Sequence, residues 1–496
     1  MTALEELRRD ASAESTGTAD VMTRGLDLDT IRRFVDHDSR LGDAIVEALA
    51  LRRQLVREFP DVLTLSEREQ IAAIQSDIVN FYADDAVNPY VALAAKGPWI
   101  ITTTGAVVHD AGGYGMIGFG HAPEAILAAM GGTQVMANVM TANLSQLRLT
   151  RALKREVGHR RGSCPYSRFI FMNSGSESVT VAARISDVNA KAMTDPGGRY
   201  AGRTCRKVAL SGGFHGRTDQ PARFSDSTRR TYQKYLASFR ESDLWTVEPN
   251  DVDALREVFA RAAREKVFIE ALFMEPVMGE GNPGHSTSRE FYDLARQLTL
   301  EHGTLLLIDS IQAGLRAHGC LSIVDYPGFE GIEPPDFETY SKALNAGQYP
   351  LSVLALTERT AGLYRKGIYG NTMTGNPRAM DVAVAVLQAV TPELRANIRR
   401  QGATFVAKLN ELKEELGGAI VDVQGTGLLF SCELARGIKA YGEGSVEESM
   451  RKLGVSVIHG GENSLRYTPY FGIRDAEVDL IIDATRQALI GETARV

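Results

Sequence analysis

The chain has 496 residues, more than one hydrophobic core usually serves, so two or three domains are expected. With 44% hydrophobic and 24% charged residues the composition is that of an ordinary globular protein. A net charge of −7 gives no general attraction to phosphate backbones or anionic lipid, which argues against a nucleic-acid or membrane-surface partner and for a small molecule or a protein.

Residues 1–26 are polar and expected to be mobile at their beginning, with no apolar leader in "MTALEELRRDASAE". From Leu28 to Tyr82 apolar residues recur at helical spacing, and "SEREQIAAIQSDIVNFY" opens with the capping-box pattern Ser66-x-x-Glu69. "VVHDAGGYGMIGFGH" contains Gly113-x-Gly115-x-x-Gly118. The acidic residue that a dinucleotide site needs some 20 positions on is missing there, so a tight loop permitting close backbone approach is the plainer reading. Short β-favouring runs then alternate with helical patterns: "RFIFM", "KVALS", "FIEALFMEP", "TLLLID" and "SVLALT". This is the signature of an α/β fold with a parallel sheet covered by helices. Beyond Pro377 a long helical stretch leads to strand-rich segments and a final helix near 476–490, a smaller α+β domain. No uninterrupted apolar stretch is long enough to span a membrane. The cysteines, Cys164, Cys205, Cys320 and Cys432, form no Cys-x-x-Cys pair, which fits a reducing cytoplasm and gives no metal site.

Three features converge on one chemistry. "FMNSGSES" sets Asn173-Ser174-Gly175-Ser176 between a strand and a helix, where free N–H groups and the helix dipole favour a phosphate. Asp309 ends the buried run "TLLLID", at the sheet edge where open α/β folds place ligands. Lys342 ends the next apolar run, where low-dielectric surroundings push an amine toward its neutral, nucleophilic form. Phosphate cradle, carboxylate and amine are the three handles of pyridoxal 5'-phosphate. Singly, each has a plainer reading: a connection, a helix cap, a solvated charge.

From about Ala106 to the C-terminus the chain resembles the class III aminotransferases, pyridoxal-phosphate enzymes that include ornithine, acetylornithine and 4-aminobutyrate aminotransferases. The resemblance rests on "NSGSES", "GFHGRT", "EPVMGEG", "LLLIDSIQAG", "TYSKALNAGQYPL" and "GNTMTGNP", in that order. It implies the fold type I architecture of pyridoxal-phosphate transferases: a large domain with a mostly parallel seven-stranded sheet, a smaller α+β C-terminal domain and here a helical N-terminal extension. The expected boundaries are 1–95 for the extension, 96–150 for the connection and first part of the small domain, 151–378 for the cofactor-binding domain and 379–496 for the C-terminal small domain. The resemblance also implies roles. Lys342 falls on the Schiff-base lysine, Asp309 on the partner of the pyridinium nitrogen, and Gln312 near the phenolic oxygen. Ile311 packs under the ring, Phe214 stacks on it, and Gly175 and Ser176 hold the phosphate. Thr372 reaches the phosphate from a neighbouring subunit, which implies a homodimer with shared sites. Arg466 and Arg217 match contacts to a substrate carboxylate and Glu280 an acid that pairs with Arg466; the alternative for both arginines is an ordinary interdomain salt bridge.

The chain departs from the family near the site. The usual Asp-Glu is Asp309-Ser310, Thr374-Gly375 stand before Asn376-Pro377 where many members have two glycines, and "GEGN" runs on into Pro283-Gly284-His285. The helical segment before residue 95 is longer than in compact members and is expected to clasp a dimer or cover the site. The expected activity is ping-pong transfer of a terminal amino group to a keto acid, 2-oxoglutarate first among them. The rivals are an aminomutase or a decarboxylase or lyase on the same fold, and a non-catalytic binding protein that would need neither Lys342 nor Asp309.

Overall fold

The computed structural model of the protein describes residues 1–14, 22–82, 88–136 and 139–493. It divides into two compact units, one of Met1–Glu124, Gln401–Gln424 and Phe430–Val496, the other of Ala125–Arg400 and Gly425–Leu429.

The first unit begins with helices α1 (Thr2–Glu14), α2 (Leu28–His37), α3 (Ser39–Glu58), α4 (Pro60–Leu63) and α5 (Glu67–Gln75). Composition marked the first residues as mobile; instead α1 buries Leu4 and Leu7 completely, because its apolar residues share a face that packs on α3. Residues 15–21 of that stretch lie outside the described residues. The capping box at Ser66 and Glu69 forms as the pattern implies. Strands β1 (Ala92–Lys96), β2 (Trp99–Thr102) and β3 (Val107–Asp110) follow. The helices are built into the core of this sheet: Asp38, which caps α3, also accepts a hydrogen bond from Trp99 Nε1 at 2.9 Å, and the rings of Phe34 and Trp99 lie 5.0 Å apart. The glycine-rich loop is the close-approach loop that the missing acid implied. No helix follows it directly, Gly115 N donates to Thr468 Oγ1 at 3.2 Å, and Gly118 lies tight against the Phe471 ring.

The second unit is ordered by a seven-stranded sheet. Its chain contributes α6 (Leu144–Glu156), β4 (Arg168–Met172), α7 (Gly175–Thr194), β5 (Thr204–Leu210), β6 (Leu244–Val247), α8 (Val252–Arg264), β7 (Val267–Met274), α9 (Arg289–His302), β8 (Leu305–Asp309), β9 (Phe337–Tyr340), β10 (Ser352–Leu356) and α10 (Pro377–Ala389). The strand order is β4-β10-β9-β8-β7-β5-β6, and only β10 runs antiparallel to its neighbours. That exception has a local cause. No helix of crossover length separates β9 from β10, and a parallel return needs about a dozen residues or more, usually with a helix. β8, at the centre, and β7 beside it are buried at every position, as strands covered on both faces must be. Val179, Val181, Ala182 and Ile185 of α7 pack with Phe224, Phe273, Leu305, Leu307, Phe337 and Leu354, each fully buried. Each Val, Ile, Leu and Phe side chain so buried contributes roughly 1.5–3 kcal/mol.

The chain then returns to the first unit through α11 (Pro392–Glu415). β11 (Ile420–Thr426), β12 (Leu429–Leu434), α12 (Val446–Lys452), β13 (Val455–Ser456), β14 (Ile458–Gly460), β15 (Ser464–Tyr467) and α13 (Asp475–Thr493) complete it. β13 adds to β3 in parallel, and β11, β12, β15 and β14 form a further sheet in that order. Among the described residues no helix is long and apolar enough to cross a membrane.

Candidate active site

Because six strands of the large sheet are parallel, the carboxyl ends of β4, β5, β7, β8 and β9 share one edge, and the site is built on the residues just past them. After β4, Ser174 caps the 20-residue helix α7. Its side chain accepts from Glu177 N at 3.3 Å, while Glu177 Oε2 accepts from Ser174 N at 2.9 Å and Asn173 N at 2.8 Å. Gly175 and Ser176 are therefore the first two helical residues, whose N–H groups have no carbonyl one turn back. A Cβ at 175 would stand 2.6 Å from Ile311 Cδ1, so any larger residue there would displace Ile311. Gly216, with φ +117°, has the same constraint against Ser176 Oγ.

Asp309, 3% exposed, closes β8. Its Oδ1 accepts from Ile311 N at 3.1 Å, and its Oδ2 lies 2.8 Å from His215 Nδ1, which is the donor when the carboxylate is ionised. His215 sits in the loop after β5, its backbone N–H bonded to Ser225 Oγ at 2.9 Å. Its neighbour Phe214 is half-buried and donates its N–H to Glu275 Oε2 at 3.0 Å, while Glu275 Oε1 accepts from Gly279 N at 2.9 Å. Glu275 is thus the clamp that holds the loop after β5 against the loop after β7. Burial pushes its carboxyl up to about 7, with His215 opposing and the charge of Asp309 adding to the rise.

Lys342 follows β9 by two residues, half-buried, in a short 3₁₀ turn over Lys342–Asn345. Register pairs Asp309 with Thr339, so the lysine stands one short step beyond the aspartate on the adjacent strand. Its φ is +43°, a left-handed conformation that costs a side-chain-bearing residue energy. The turn is held by Ser341 Oγ and Asn345 Nδ2, which donate to Leu351 O at 2.7 and 3.0 Å.

Of the residues singled out from sequence, Gly175, Ser176, Phe214, Asp309, Ile311, Gln312 and Lys342 all fall at this edge. Gln312 is buried directly against Gly279. Arg217 and Glu280 pair at 3.3 Å, and the Arg217 guanidinium lies 5.6 Å from the centre of the Phe214 ring. Thr372 is exposed, in a loop tied to α7 by Asn371 Nδ2 and Tyr369 OH, which donate to Glu177 Oε1 at 2.7 and 3.0 Å. Arg466 belongs to the first unit, 4% exposed on β15. His215 and Glu275 were missed. The available signal is the histidine inside "GFHGRT", next to Phe214, and the acid that opens "EPVMGEG", in the same motif as Glu280.

The donor set fits pyridoxal phosphate. Each oxygen of Asp309 retains a second lone pair for a pyridinium N–H, the helix N-terminus presents amides to a phosphate, and Lys342, whose amine could meet the aldehyde, is half-buried in the turn just past the neighbouring strand. Fold and site together define a pyridoxal-phosphate enzyme.

Comparison with known proteins carries this further. The model of the family described as Aminotransferase class-III matches residues 81–489. Acetylornithine aminotransferase 1 of Pseudomonas syringae pv. tomato is 28% identical over 382 residues, 75% of this chain and 86% of that one. Succinylornithine transaminase of Citrobacter koseri is 29% identical over 317 residues, 64% and 72% of the two chains. The ornithine aminotransferase of Toxoplasma gondii, in a structure described with partial occupancy of pyridoxal phosphate at its active site, superposes with a TM-score of 0.74 at 22% identity, covering 89% of this chain and 98% of that one. The chain belongs to the class III aminotransferases, and it is a pyridoxal-phosphate-dependent transaminase.

Proposed function

We propose that the enzyme takes the terminal amino group of an amino acid or amine and delivers it to 2-oxoglutarate by a ping-pong mechanism. The observation that carries this reading is the placement of Asp309 and Lys342 at the ends of adjacent parallel strands, beside the N-terminus of α7. Bound there, pyridoxal phosphate supplies an aldehyde that accepts the amino group in one half-reaction and passes it to a keto acid in the other. Lys342 would hold the cofactor through its ε-amine and, when that amine is free, would carry a proton at Nζ. Asp309 keeps a proton at the ring nitrogen, oriented by His215. Gly175 and Ser176 would bind the phosphate, Phe214 and Ile311 would pack against the ring, and Gln312 would serve the phenolic oxygen.

Arg217 gives a second contact to a substrate carboxylate. Its side chain is 46% exposed and Glu280's is 26%, so their pair is a weak one that an incoming carboxylate can open. Arg466 is the principal arginine for the substrate carboxylate, with Glu280 as its acid when a terminal amine is bound. The names of the relatives, acetylornithine and succinylornithine transaminases, favour an ω-amine donor.

The working form is a homodimer in the cytoplasm, with Thr372 reaching the partner's phosphate. Exposed Met140, Leu144 and Met373 form apolar surface of the kind that marks interfaces, and all four cysteines are free thiols, as a reducing compartment keeps them. A panel of amines, each mixed with enzyme and no acceptor, tests the activity: true donors convert the bound cofactor from its aldehyde to its amine form, and 2-oxoglutarate reverses this with release of glutamate. Return of the aldehyde form without an acceptor identifies a mutase or lyase instead. Light scattering at the monomer mass would remove the dimer.

A further inference from the structure

β9 carries a glutamate in mid-strand, Glu338, with 0% of its surface exposed. Buried carboxyls are rare and costly unless fully hydrogen-bonded. This one is saturated. Oε1 accepts from Ser310 Oγ at 2.7 Å and Ile323 N at 2.9 Å, and Oε2 accepts from Tyr166 OH at 2.8 Å, Tyr340 OH at 2.9 Å and Ser322 Oγ. Each of these donors is neutral, and burial raises the carboxyl above its ordinary range.

The placement of the donors explains why the fold tolerates this cost. Ser310 directly follows Asp309, and Tyr340 stands two residues before Lys342. Ser322 and Ile323 end the segment that begins with Ile311 and Gln312, and Tyr166 leads into β4, whose end opens the phosphate turn. One carboxyl therefore ties together four stretches of chain, each of which leads to a residue of the site. Ser310 is also the position at which this chain departs from the family's usual Asp-Glu. The carboxylate absent there is supplied 28 residues later from the adjacent strand, hydrogen-bonded to the serine that stands in its place.

We propose that Glu338 is a positioning residue for Asp309 and Lys342, and that Ser310 and Glu338 together replace, across two strands, the glutamate that the family carries directly after its aspartate. The proposal rests on the reading that Asp309 and Lys342 hold the cofactor. It commits Glu338 to a task beyond packing, since a charge-assisted acceptor is kept where any apolar residue would avoid the desolvation cost.

The test uses apo-protein of four variants, Glu338→Gln, Glu338→Ser, Ser310→Ala and the transposed Ser310→Glu with Glu338→Ser, titrated with pyridoxal phosphate. The readings are the Kd, the pH midpoint of the bound cofactor's visible absorbance and the apo-protein Tm. Loss of one or two such hydrogen bonds is expected to weaken cofactor binding about tenfold in Glu338→Gln and to move the pH midpoint, with a smaller loss in Ser310→Ala. The transposed variant is expected to recover most of what Glu338→Ser loses. A lowered Tm with unchanged Kd and pH midpoint in both Glu338→Gln and Ser310→Ala shows a purely structural role and overturns the proposal, as does a transposed variant no better than Glu338→Ser. Wild-type protein that binds no pyridoxal phosphate overturns the cofactor reading and this proposal with it; wild-type binding with unaffected variants overturns the proposal alone.

Discussion

His215 Nδ1 and Asp309 Oδ2 meet at 2.8 Å with side chains 0% and 3% exposed, so the carboxylate proposed to serve the cofactor ring is itself oriented by an imidazole from another strand end. A charge-assisted hydrogen bond of this kind is worth about 1.5–3 kcal/mol, and removing it leaves Asp309 with the Ile311 amide as its remaining partner here. His215→Ala is expected to raise the Kd for pyridoxal phosphate by roughly 10- to 100-fold, by the same energy scale. His215→Asn, whose amide can place a donor near the Nδ1 position, is expected to recover part of it. Equilibrium dialysis of the apo-proteins decides, and equal affinity in the alanine variant would show the contact to be idle.

The strain at Lys342 separates two roles of one residue. Both Lys342→Ala and Lys342→Gly remove the amine, so neither retains a borohydride-fixed cofactor adduct, and turnover falls by at least the roughly 10²–10⁴-fold that a positioned proton carrier provides. Only glycine relieves the φ of +43°. The glycine variant's apo-protein is therefore expected to be more stable than the alanine variant's by about 1 kcal/mol, read as the difference in Tm.

Glu275 makes stability depend on pH. Its ordinary value is 4.5 and burial raises it to about 7 in the folded protein. The folded state thus holds this proton over a range where the unfolded chain has released it. The contribution to stability is greatest below 4.5 and declines as pH rises to about 7, by on the order of 3 kcal/mol. Glu275→Gln keeps one of the two backbone acceptors and never charges. Urea melts of the apo-proteins should show it less stable than wild type at pH 5, with the gap narrowing or reversing by pH 8.5. A constant gap would mean that Glu275 titrates normally.

The N-terminal helices are structural. Deleting residues 1–60 removes Phe34, Asp38, Leu41 and Ile45, and strips Trp99 of its contact with the Phe34 ring and of its hydrogen bond to Asp38. The truncated protein is expected to show red-shifted tryptophan emission and a lower Tm. Native emission with an unchanged Tm would make the segment an appendage of the kind its length alone implied.

Sequence by itself determined the alternation of strand and helix, the capped turn at Ser174-Gly175 and the position of Asp309 and Lys342 at strand ends. All of these depend on neighbours a few residues away, through periodicity, capping and the ends of apolar runs. Tertiary structure decided the rest. The direction of β10, the clamp of Glu275 on Phe214 61 residues before it, the contact of His215 with Asp309 94 residues on, and the bond between Ser310 and Glu338 all depend on which strands lie side by side. Strand order arises from the packing of the whole sheet, and a local pattern of residues carries no record of it.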